Sequence, residues 1–288
     1  MKHTASTGSA KAIEKKAIYA RIVADSVSPA GVRLTTMECQ FPRFILAQVN
    51  THRAFSRNSA SSRAIPIRNR IHEVETDPYI PIHMGANQSG MQAGPALSIQ
   101  RRWDAEIAWK SGCANAIYAA RKMAEAGVHK EVVNRLLEPF LWHRAIISAT
   151  EWQNFFDQRA NHDAQPEIQK LAREMHYAIS TSNPLPVAYG DWHLPYISAE
   201  ELASLPVYSC MAISVARCAR VSYLTHEGVR SVDRDMELYD KLRSAKPPHL
   251  SPFEHVATPS KDTVPGNFRL WKQFRHTISE CQETGVLE

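Results

Sequence analysis

The sequence predicts an α+β fold, with an antiparallel strand pair near the N-terminus and a long helical region after it. Residues 17–48 alternate between apolar and polar side chains, and the "VSPAG" segment that interrupts them has the composition of a turn. From Ser98 onward the apolar residues recur with a period of about 3.6, which is typical of helices that bury one face. Strands and helices thus occupy separate parts of the chain, as they do in α+β proteins.

The two alternating runs, "IYARIVADS" and "VRLTTMECQF", predict a β-hairpin. The next segment, "FPRFILAQV", is apolar enough to be either a buried strand or the start of a helix. A loop punctuated by Gly and Pro, "DPYIPIHMGANQSGMQAGP", separates this part of the chain from the first long helix.

The first long helix is predicted to begin after Ser98, a favourable N-cap residue, and to end at Gly127. Its predicted apolar face consists of Trp103, Ile107, Ala114, Ile117 and Met123. Further helices are predicted over "KEVVNRLLE", "EWQNFFDQR" and "SVDRDMELYDKLRSA". Another is predicted to begin at Pro166, with Ile168, Leu171, Met175 and Ile179 on one face. A short helix is predicted to begin at the capping box from Ser198 to Glu201.

We expect one folded domain, because a hydrophobic content of 44% is that of a globular protein. Residues 1–16 are predicted to form a flexible N-terminal tail, since they are polar and lack a periodic pattern. Residues 17–288 are predicted to form the domain, which consists of a part over 17–182, a Pro-rich connector over 183–206 and a last part over 207–288.

The cysteines and the hydropathy pattern predict a cytoplasmic protein without membrane contact. The five cysteines are scattered and include no C-x-x-C pair, which indicates neither a disulfide framework nor a structural zinc site. The N-terminal stretch lacks the apolar core of a signal peptide, and no run of about 18 apolar residues occurs.

The segment "NTHRAFSRNSASSRAIP" (residues 50–66) is the strongest indication of a binding site. No acid occurs from Gln40 to His72, whereas this window contains Arg43, Arg53, Arg57, Arg63, Arg68 and Arg70. Guanidinium groups beside serine hydroxyls suit a phosphate or carboxylate. A solvated basic loop or a nucleic-acid patch is an alternative. The abundance of serine and the absence of lysine in the segment favour recognition of a shaped anion, and the net charge of only +5 indicates no specific nucleic-acid partner.

Two helical segments and one turn contain further candidates. Arg135 interrupts the apolar run "VVNRLLEP" and needs a partner, either a carboxylate such as Glu138 or Glu151 or a bound anion. Asn154 and Arg159 lie on neighbouring faces of one predicted helix, with Arg159 near its end. The segment "HLSPFEH" has potential metal ligands, but their spacing matches no standard motif, so no metal site is predicted.

Taken together, "THRAFSRNSASSR", "VNRLLEP", "NFFDQRANHDAQPEIQ", "ARCARVSY" and "HLSPFEH" resemble segments of the flavin-dependent thymidylate synthases. The signature of that family is R-H-R followed, after seven residues, by Ser; here Thr51, His52, Arg53 and Ser61 occupy these places. The segment "ARVSY…SPFEH" precedes the signature in the usual family order but follows it here, so the chain resembles a circularly permuted member. The resemblance implies a helical bundle packed on an antiparallel sheet.

The resemblance also implies the roles of individual residues. It places FAD against Thr51, His52, Arg53, Ser148, Thr150, Asn154, His249, Ser251 and Glu254. It places dUMP against Gln48, Ser61, Ser62, Arg63, Arg135 and Arg159, with Arg159 as the catalytic residue beside the uracil ring. Thr51, Ser59, Ser148 and Thr150 depart from the residues that are usual in the family.

In the family that the chain resembles, NADPH reduces FAD, and 5,10-methylenetetrahydrofolate donates the carbon that becomes the methyl group of dTMP. The resemblance also implies a homotetramer with active sites shared between subunits. One alternative is a flavin-dependent 5-hydroxymethyltransferase that acts on dUMP or dCMP. Another is a flavin-free protein that binds nucleic acid through its basic segment.

Overall fold

The computed structural model describes residues 16–223 and 231–278. Apart from Lys16, the predicted N-terminal tail lies outside these residues. The strands are β1 (Tyr19–Val27), β2 (Arg33–Pro42), β3 (Ser56–Ser59), β4 (Trp142–Ala149), β5 (Leu185–Pro186), β6 (Ala257–Pro259) and β7 (Trp271–Gln273). The first five form one sheet in the order β3-β4-β2-β1-β5, and β6 pairs with β7 in a second sheet.

The helices surround the five-stranded sheet. They are α1 (Leu46–Asn50), α2 (Ile67–Thr76), α3 (Ile99–Glu125), α4 (Lys130–Val133), α5 (Gln153–Arg159), α6 (Pro166–Thr181), α7 (Ala199–Ser204), α8 (Val207–Arg220) and α9 (Val232–Ser244). Short 3-10 turns occur at Arg43–Ile45, Asn134–Phe140, Val221–Tyr223 and Ser251–His255. The mixture of sheet and helix confirms the predicted fold class at this level.

The predicted hairpin is confirmed, and its turn depends on a glycine. Strands β1 and β2 are antiparallel, and the Gly31 N–H donates to the Ser28 carbonyl at 2.9 Å. Gly31 has φ +73°, which a residue with a Cβ rarely adopts. The prediction of a purely antiparallel sheet is wrong in one respect, because the short β5 runs parallel to β1. The segment "FPRFILAQV" completes β2 and then turns into helix, so its second half is the start of a helix.

Strand β4 was not predicted, although it lies between β2 and β3 in the sheet. Ile147 packs on one face with Met37 and Leu171 in the largest core cluster. Ile146 packs on the opposite face with Cys218 and Val221. A strand that is buried on both faces shows no alternation of apolar and polar residues, so the pattern that revealed β1 and β2 is missing here.

Two amphipathic helices show how well the helical pattern predicted packing. On α6, Ile168, Leu171 and Met175 are fully buried against the sheet, as predicted. On α3, the predicted face is partly wrong, because Trp103, Ile107 and Ala114 are exposed. The stripe that packs inward contains Trp109, Cys113, Ile117, Ala120 and Met123. Within the described part of the chain, no helix has both the length and the hydrophobicity that crossing a bilayer requires.

Helix α8 was not predicted as an element, because small and apolar residues surround it on all sides. Residues from Cys210 to Ala219 are buried. Arg217 is buried within this run, where its guanidinium donates to Glu201 at 2.6 Å and to Asp235 at 3.0 Å. Because buried charge is costly without a partner, these ion pairs fix α8 against α7 and α9.

We predict that Ile147→Ala lowers the free energy of unfolding by about 2–4 kcal/mol, because it leaves a cavity in the middle of the sheet. Urea unfolding measures this change. The control is Leu185→Ala, which truncates a side chain that is 71% exposed and should change stability by less than about 1 kcal/mol. Equal effects of the two substitutions would contradict the central position of β4.

Candidate functional site

The basic segment, residues 50–66, is built into the edge of the sheet. Its middle part is β3, which pairs antiparallel with β4 and places Ser56 opposite Ser148. Ser56, Asn58 and Ser62 are buried, whereas Arg53 and Arg63 are exposed. A solvated loop would not bury its polar side chains in this way, so the segment is a shaped part of the fold.

The arginines of the acid-free window obtain negative partners from other parts of the chain. Arg43 pairs with Glu138 at 3.1 Å, Arg63 with Glu131 at 3.5 Å and Arg70 with Glu73 at 2.7 Å. Arg57 donates to the His52 carbonyl oxygen at 2.7 Å. Carboxylates therefore compensate the charge of three of the six arginines in this window.

Thr51 and His52, which follow α1, meet Arg159 at the end of α5, and the Thr51 hydroxyl also donates to the backbone carbonyl of Gln48 at 2.7 Å; we call these four residues the Arg159 cluster. Arg159 Nε donates to His52 Nε2 at 3.1 Å, and its Nη2 donates to the Thr51 hydroxyl at 3.4 Å. Arg159 lies at the C-terminal end of α5, where the helix dipole favours a cation. The guanidinium has further N–H donors, so Arg159 can hold His52 and still donate to a ligand.

His52 is in its neutral form, because burial and then the positive charges of Arg159 and Arg57 lower the pKa of its imidazole. Only a neutral imidazole has a nitrogen that can accept the hydrogen bond from Arg159. Because the pKa is lowered, this contact persists to a lower pH than the ordinary pKa of histidine would allow. The ring also packs edge-on against Phe155, with the ring centroids 4.8 Å apart, which fixes its orientation.

Gln48 connects the Arg159 cluster to a cavity of about 690 Å³. Its amide nitrogen donates to Gln165 Oε1 at 2.6 Å, and the amide of Gln165 donates to the buried Glu167 at 3.1 Å. The cavity is lined by Gln165 and Glu167 together with Phe44, Trp109, Pro139 and His162, among others. It has the size and the mixture of aromatic and polar groups that small-molecule sites have.

A second group, which we call the Glu138 cradle, consists of Arg43, Ser62, Arg135 and Glu138. Three groups donate to Glu138 Oε1: Ser62 Oγ at 2.5 Å, Arg135 Nη1 at 2.9 Å and Arg43 Nη2 at 3.1 Å. The prediction that Arg135 needs a partner such as Glu138 is confirmed. Arg63 does not reach the cradle, since its side chain is 74% exposed and pairs with Glu131.

The Glu138 cradle and α1 border the same concave surface. A cavity of about 440 Å³ is lined by Arg43, Arg135 and Glu138 on one side and by Leu46, Ala47 and Asn50 of α1 on the other. Phe44 and Pro139 line both this cavity and the larger one. Within one chain, then, α1 lies between the cradle and the Arg159 cluster.

A line of buried polar side chains crosses the sheet, and we call it the polar seam: Ser26, His193, Thr36, Ser148, His255 and Asn58. Thr36 Oγ1 lies 2.8 Å from His193 Nε2 and 2.5 Å from Ser148 Oγ. Ser148 Oγ lies 2.7 Å from His255 Nδ1, and His193 Nδ1 lies 2.8 Å from Ser26 Oγ. Oriented with its nitrogen inward, the Asn58 amide donates to His255 Nε2 at 3.3 Å and to the Ser251 carbonyl at 3.1 Å.

Both histidines of the polar seam are neutral at physiological pH. Burial is the main cause and lowers the pKa of His193 and of His255 to about 3. With Nδ1 protonated in each ring, every link of the seam has one donor and one acceptor, from the Asn58 amide to the Ser26 hydroxyl. The seam therefore fixes the orientation of Asn58, which supports the turn at Ser251–His255.

The residues that the resemblance assigns to FAD fall into two groups. Ser148 is fully buried and engaged by Thr36 and His255, so its hydroxyl can act on a ligand only through its neighbours in the seam. Thr150 accepts from the Arg269 N–H at 3.0 Å, and Glu254 accepts from Ser56 at 2.7 Å and from Arg275 at 2.5 Å. His52 belongs with these engaged residues, since it is buried and accepts from Arg159. The exposed members are Thr51, Arg53, Asn154, His249 and Ser251.

The structure thus brings some predicted site residues together and separates others. Thr51, His52 and Arg159 converge, and Ser62 and Arg135 both donate to Glu138, whereas the Gln48 side chain is bonded to Gln165. Within the described part of one chain, Arg63, Arg135 and Arg159 do not come together in one pocket. The sequence analysis missed His193, His255 and Asn58 as members of these groups. It named Arg43 only as part of the acid-free window and Glu138 only as a possible partner of Arg135. Of these five residues, Asn58, Glu138 and His255 lie inside the motifs that carry the resemblance. Among the described residues, no group of three or more His, Cys, Asp or Glu is arranged to hold a metal ion.

Comparison with known proteins gives a family match and several matching structures. A family model described as "Thymidylate synthase complementing protein" matches residues 3–185, more than half of the 288-residue chain. A structure of the UMP/dUMP methylase PolB from Streptomyces cacaoi bound with 5-Br dUMP has 14% identity and a TM-score of 0.47, over 58% of this chain and 91% of that chain. The same enzyme bound with 5-Br UMP has 15% identity and a TM-score of 0.46, over 58% and 90%. No curated protein matches the chain.

We predict that the polar seam makes stability depend on pH. In the folded protein the pKa of His255 is about 3, below the ordinary value of 6.5. Between these two pH values the unfolded chain therefore binds more protons than the folded protein. The free energy of unfolding thus falls as the pH drops from about 6.5 towards 3. His255→Gln keeps a polar side chain but does not titrate. Between pH 4 and 6, the free energy of unfolding of this variant should change less with pH than that of the wild-type protein, by up to about 1.4 kcal/mol per pH unit.

Urea unfolding at a series of pH values measures the slope of unfolding free energy against pH. His193→Gln should reduce it by a similar amount, because His193 is equally buried. A slope that neither substitution changes would show that the two imidazoles are not held neutral in the folded protein.

Proposed function

The chain belongs to the family of thymidylate synthase complementing proteins, and we propose on this premise that it is a flavin-dependent thymidylate synthase. The proposed reaction is the reductive methylation of dUMP to dTMP, with 5,10-methylenetetrahydrofolate as the carbon donor and NADPH as the reductant. The observation that carries the proposal is the Arg159 cluster, in which a guanidinium is anchored to the histidine of the family signature.

The role that we propose for Arg159 is electrostatic. A guanidinium beside N3 and O2 of the uracil stabilises negative charge on the ring, which makes C5 more nucleophilic. The hydrogen bonds to His52 and Thr51 support this role, because they hold the guanidinium in place before substrate binds. The uracil ring becomes negatively charged when N3 loses its proton. Cytosine has no proton on N3, so the same arrangement favours dUMP over dCMP.

The described residues fit FAD as the cofactor. Arg53, Asn154, His249 and Ser251 are exposed and can donate hydrogen bonds to a diphosphate or to a ring, while the polar seam stiffens the turn that carries Ser251. Of the residues assigned to it, we propose that Thr51, His52, Arg53, Asn154, His249, Ser251 and Glu254 hold FAD directly, and that Ser148 and Thr150 support them from behind. FAD would supply the hydride that completes the methyl group.

We propose that Ser61, Ser62, Arg63 and Arg135 bind the 5′-phosphate of dUMP, with Gln48 and Arg159 at the base. The separation of Arg135 from Arg159 within one chain supports active sites that are shared between the subunits of a homotetramer. Ile99, Trp103 and Ile107 recur every four residues along α3 and are exposed, which supports association of subunits through this face of the helix.

We also propose that the chain is a circularly permuted member of its family. The family match ends at residue 185, yet the last part of the chain packs against the basic segment. The Ser61 N–H donates to the Ser222 carbonyl at 3.0 Å, and Ser56 donates to Glu254 at 2.7 Å. A segment that contacts the signature in this way can precede or follow it along the chain. The proposal places the enzyme in the cytoplasm, which the buried free thiols of Cys39, Cys113, Cys210 and Cys218 support.

Mass spectrometry of the product tests the proposed function. Purified protein with FAD is incubated with dUMP, NADPH and methylenetetrahydrofolate, and the proposal predicts dTMP. A hydroxymethylated nucleotide would instead identify a hydroxymethyltransferase. No modified nucleotide, from a purified protein that binds no flavin, would contradict the enzymatic proposal.

We predict that Arg159→Ala lowers kcat by about a hundredfold or more, because it removes a donor that stabilises charge in the transition state. The KM for dUMP should change much less. Steady-state kinetics measures both constants. Arg173→Ala is the matched control, since Arg173 is an exposed arginine on the neighbouring α6 that donates to the Ala160 carbonyl. Full activity of Arg159→Ala would refute the proposed role.

We predict that two inactive variants complement each other if the site is shared between subunits. Arg159→Ala and Arg135→Ala, mixed in equal amounts and reassembled, should regain activity at about a quarter of the sites, because that fraction combines an intact group from each variant. Activity of the mixture is compared with the sum of the separate variants. Activity no higher than that sum would place the whole site within one chain.

A further inference from the structure

The Glu138 cradle contains an anion of the protein itself at the point where its donors converge. Ser62 comes from the basic segment, Arg43 from the turn before α1 and Arg135 from the 3-10 turn at Asn134–Phe140. All three donate to the same oxygen, Oε1 of Glu138. Among the described residues, no donor lies at Oε2. Convergence of three donors from separate elements on one oxygen is the geometry of a bound oxyanion.

The surroundings of Glu138 have more positive than negative charge. Burial lowers the pKa of Arg43, Glu138 opposes this effect, and the nearby cations Arg70 and Arg135 add to it. Arg70 is buried and pairs with Glu73, but its Nε has no hydrogen-bond partner among the described groups. His143 contributes no charge, because burial and then Arg43 and Arg70 lower its pKa well below the usual range. Without Glu138, Arg43 and Arg135 would lack a carboxylate partner.

We propose that Glu138 occupies the phosphate subsite in the ligand-free protein and that the 5′-phosphate of the nucleotide displaces it, with Arg43 as an additional phosphate-binding residue. This inference rests on the proposed function, since the nucleotide is the ligand assigned to Ser62 and Arg135 there. Glu138 thereby determines specificity: only a ligand with a phosphomonoester gives the two guanidiniums a better partner than the carboxylate they already have.

The position of the cradle allows this exchange. Arg43, Arg135 and Glu138 all line the cavity of about 440 Å³, and the side chain of Glu138 is 23% exposed. A ligand phosphate can therefore reach the donors from the cavity. Glu138 can turn its carboxylate towards solvent, where an ionised group is well hydrated. The exchange leaves each guanidinium paired with an anion before and after binding.

Glu138→Gln tests the proposal, because it removes the competing charge and keeps a side chain of the same shape. We expect the variant to bind dUMP about tenfold more tightly than the wild-type protein, or better, by isothermal titration calorimetry. Its affinity for deoxyuridine, which has no phosphate, should not change. Arg43→Gln combined with Glu138→Gln should lose most of the gain, because it removes one of the two guanidiniums that would hold the phosphate.

Glu75→Gln is the matched control. It removes one carboxylate from an exposed ion pair with Arg121, changes the net charge of the protein equally and should leave dUMP affinity unaltered. Thermal unfolding of each variant establishes that it is folded. If Glu138→Gln does not fold, Glu138→Asp provides the test: its shorter side chain weakens the internal contacts, so tighter dUMP binding supports the proposal and unchanged or weaker binding overturns it.

The outcomes separate this inference from the proposed function. Unchanged or weaker dUMP binding by folded Glu138→Gln overturns the role of Glu138. Tighter binding of inorganic phosphate by Glu138→Gln, without nucleotide binding by either protein, supports the anion subsite and removes dUMP as its ligand. Equal gains for dUMP and deoxyuridine also overturn the proposal, because the gain would then not depend on the phosphate.

Discussion

The arrangement of the site depends on one constraint, the need to balance the charges of an acid-free basic segment. From Gln40 to His72 the chain contains arginines but no acid, so each buried guanidinium requires an anionic partner from outside this window. Glu73 pairs with the buried Arg70 within α2, whereas Glu138 pairs with Arg43 from the 3-10 turn at Asn134–Phe140. The pair of Arg43 with Glu138 joins this part of the chain to that turn and brings Arg43 beside Ser62 and Arg135, which donate to the same carboxylate.

The polar seam supplies the second fixed part of the site. A sheet interior tolerates hydroxyl and imidazole groups only when their donors and acceptors are matched. In the seam they are matched, because each group from Asn58 to Ser26 donates one hydrogen bond to the next. The seam also sets the relative positions of the elements that it joins. The seam joins the hairpin, β4 and the turn at Ser251–His255, so residues far apart in sequence keep a fixed relation to β3 and to the family signature, whose residues lie on either side of that strand.

The sequence allowed the hairpin, the caps of α3 and α7 and the buried face of α6 to be predicted, because each has a local pattern. It did not reveal β4 or α8, whose residues are buried on all sides and so lack a period. The family could be recognised from its signature, and the contact of Arg159 with His52 brings two of the residues assigned to the site together. The role of Glu138 could not be predicted, since its partners Arg43 and Ser62 lie 95 and 76 residues away along the chain.

These parts give one account of ligand binding, in which the protein holds its own anion until a phosphate replaces it. A crystal structure of the protein with dUMP tests this account most directly. The account predicts that phosphate oxygens lie within hydrogen-bond distance of Ser62, Arg43 and Arg135, and that the Glu138 carboxylate has turned away from them. A structure in which dUMP is bound while Ser62 still donates to Glu138 would contradict it.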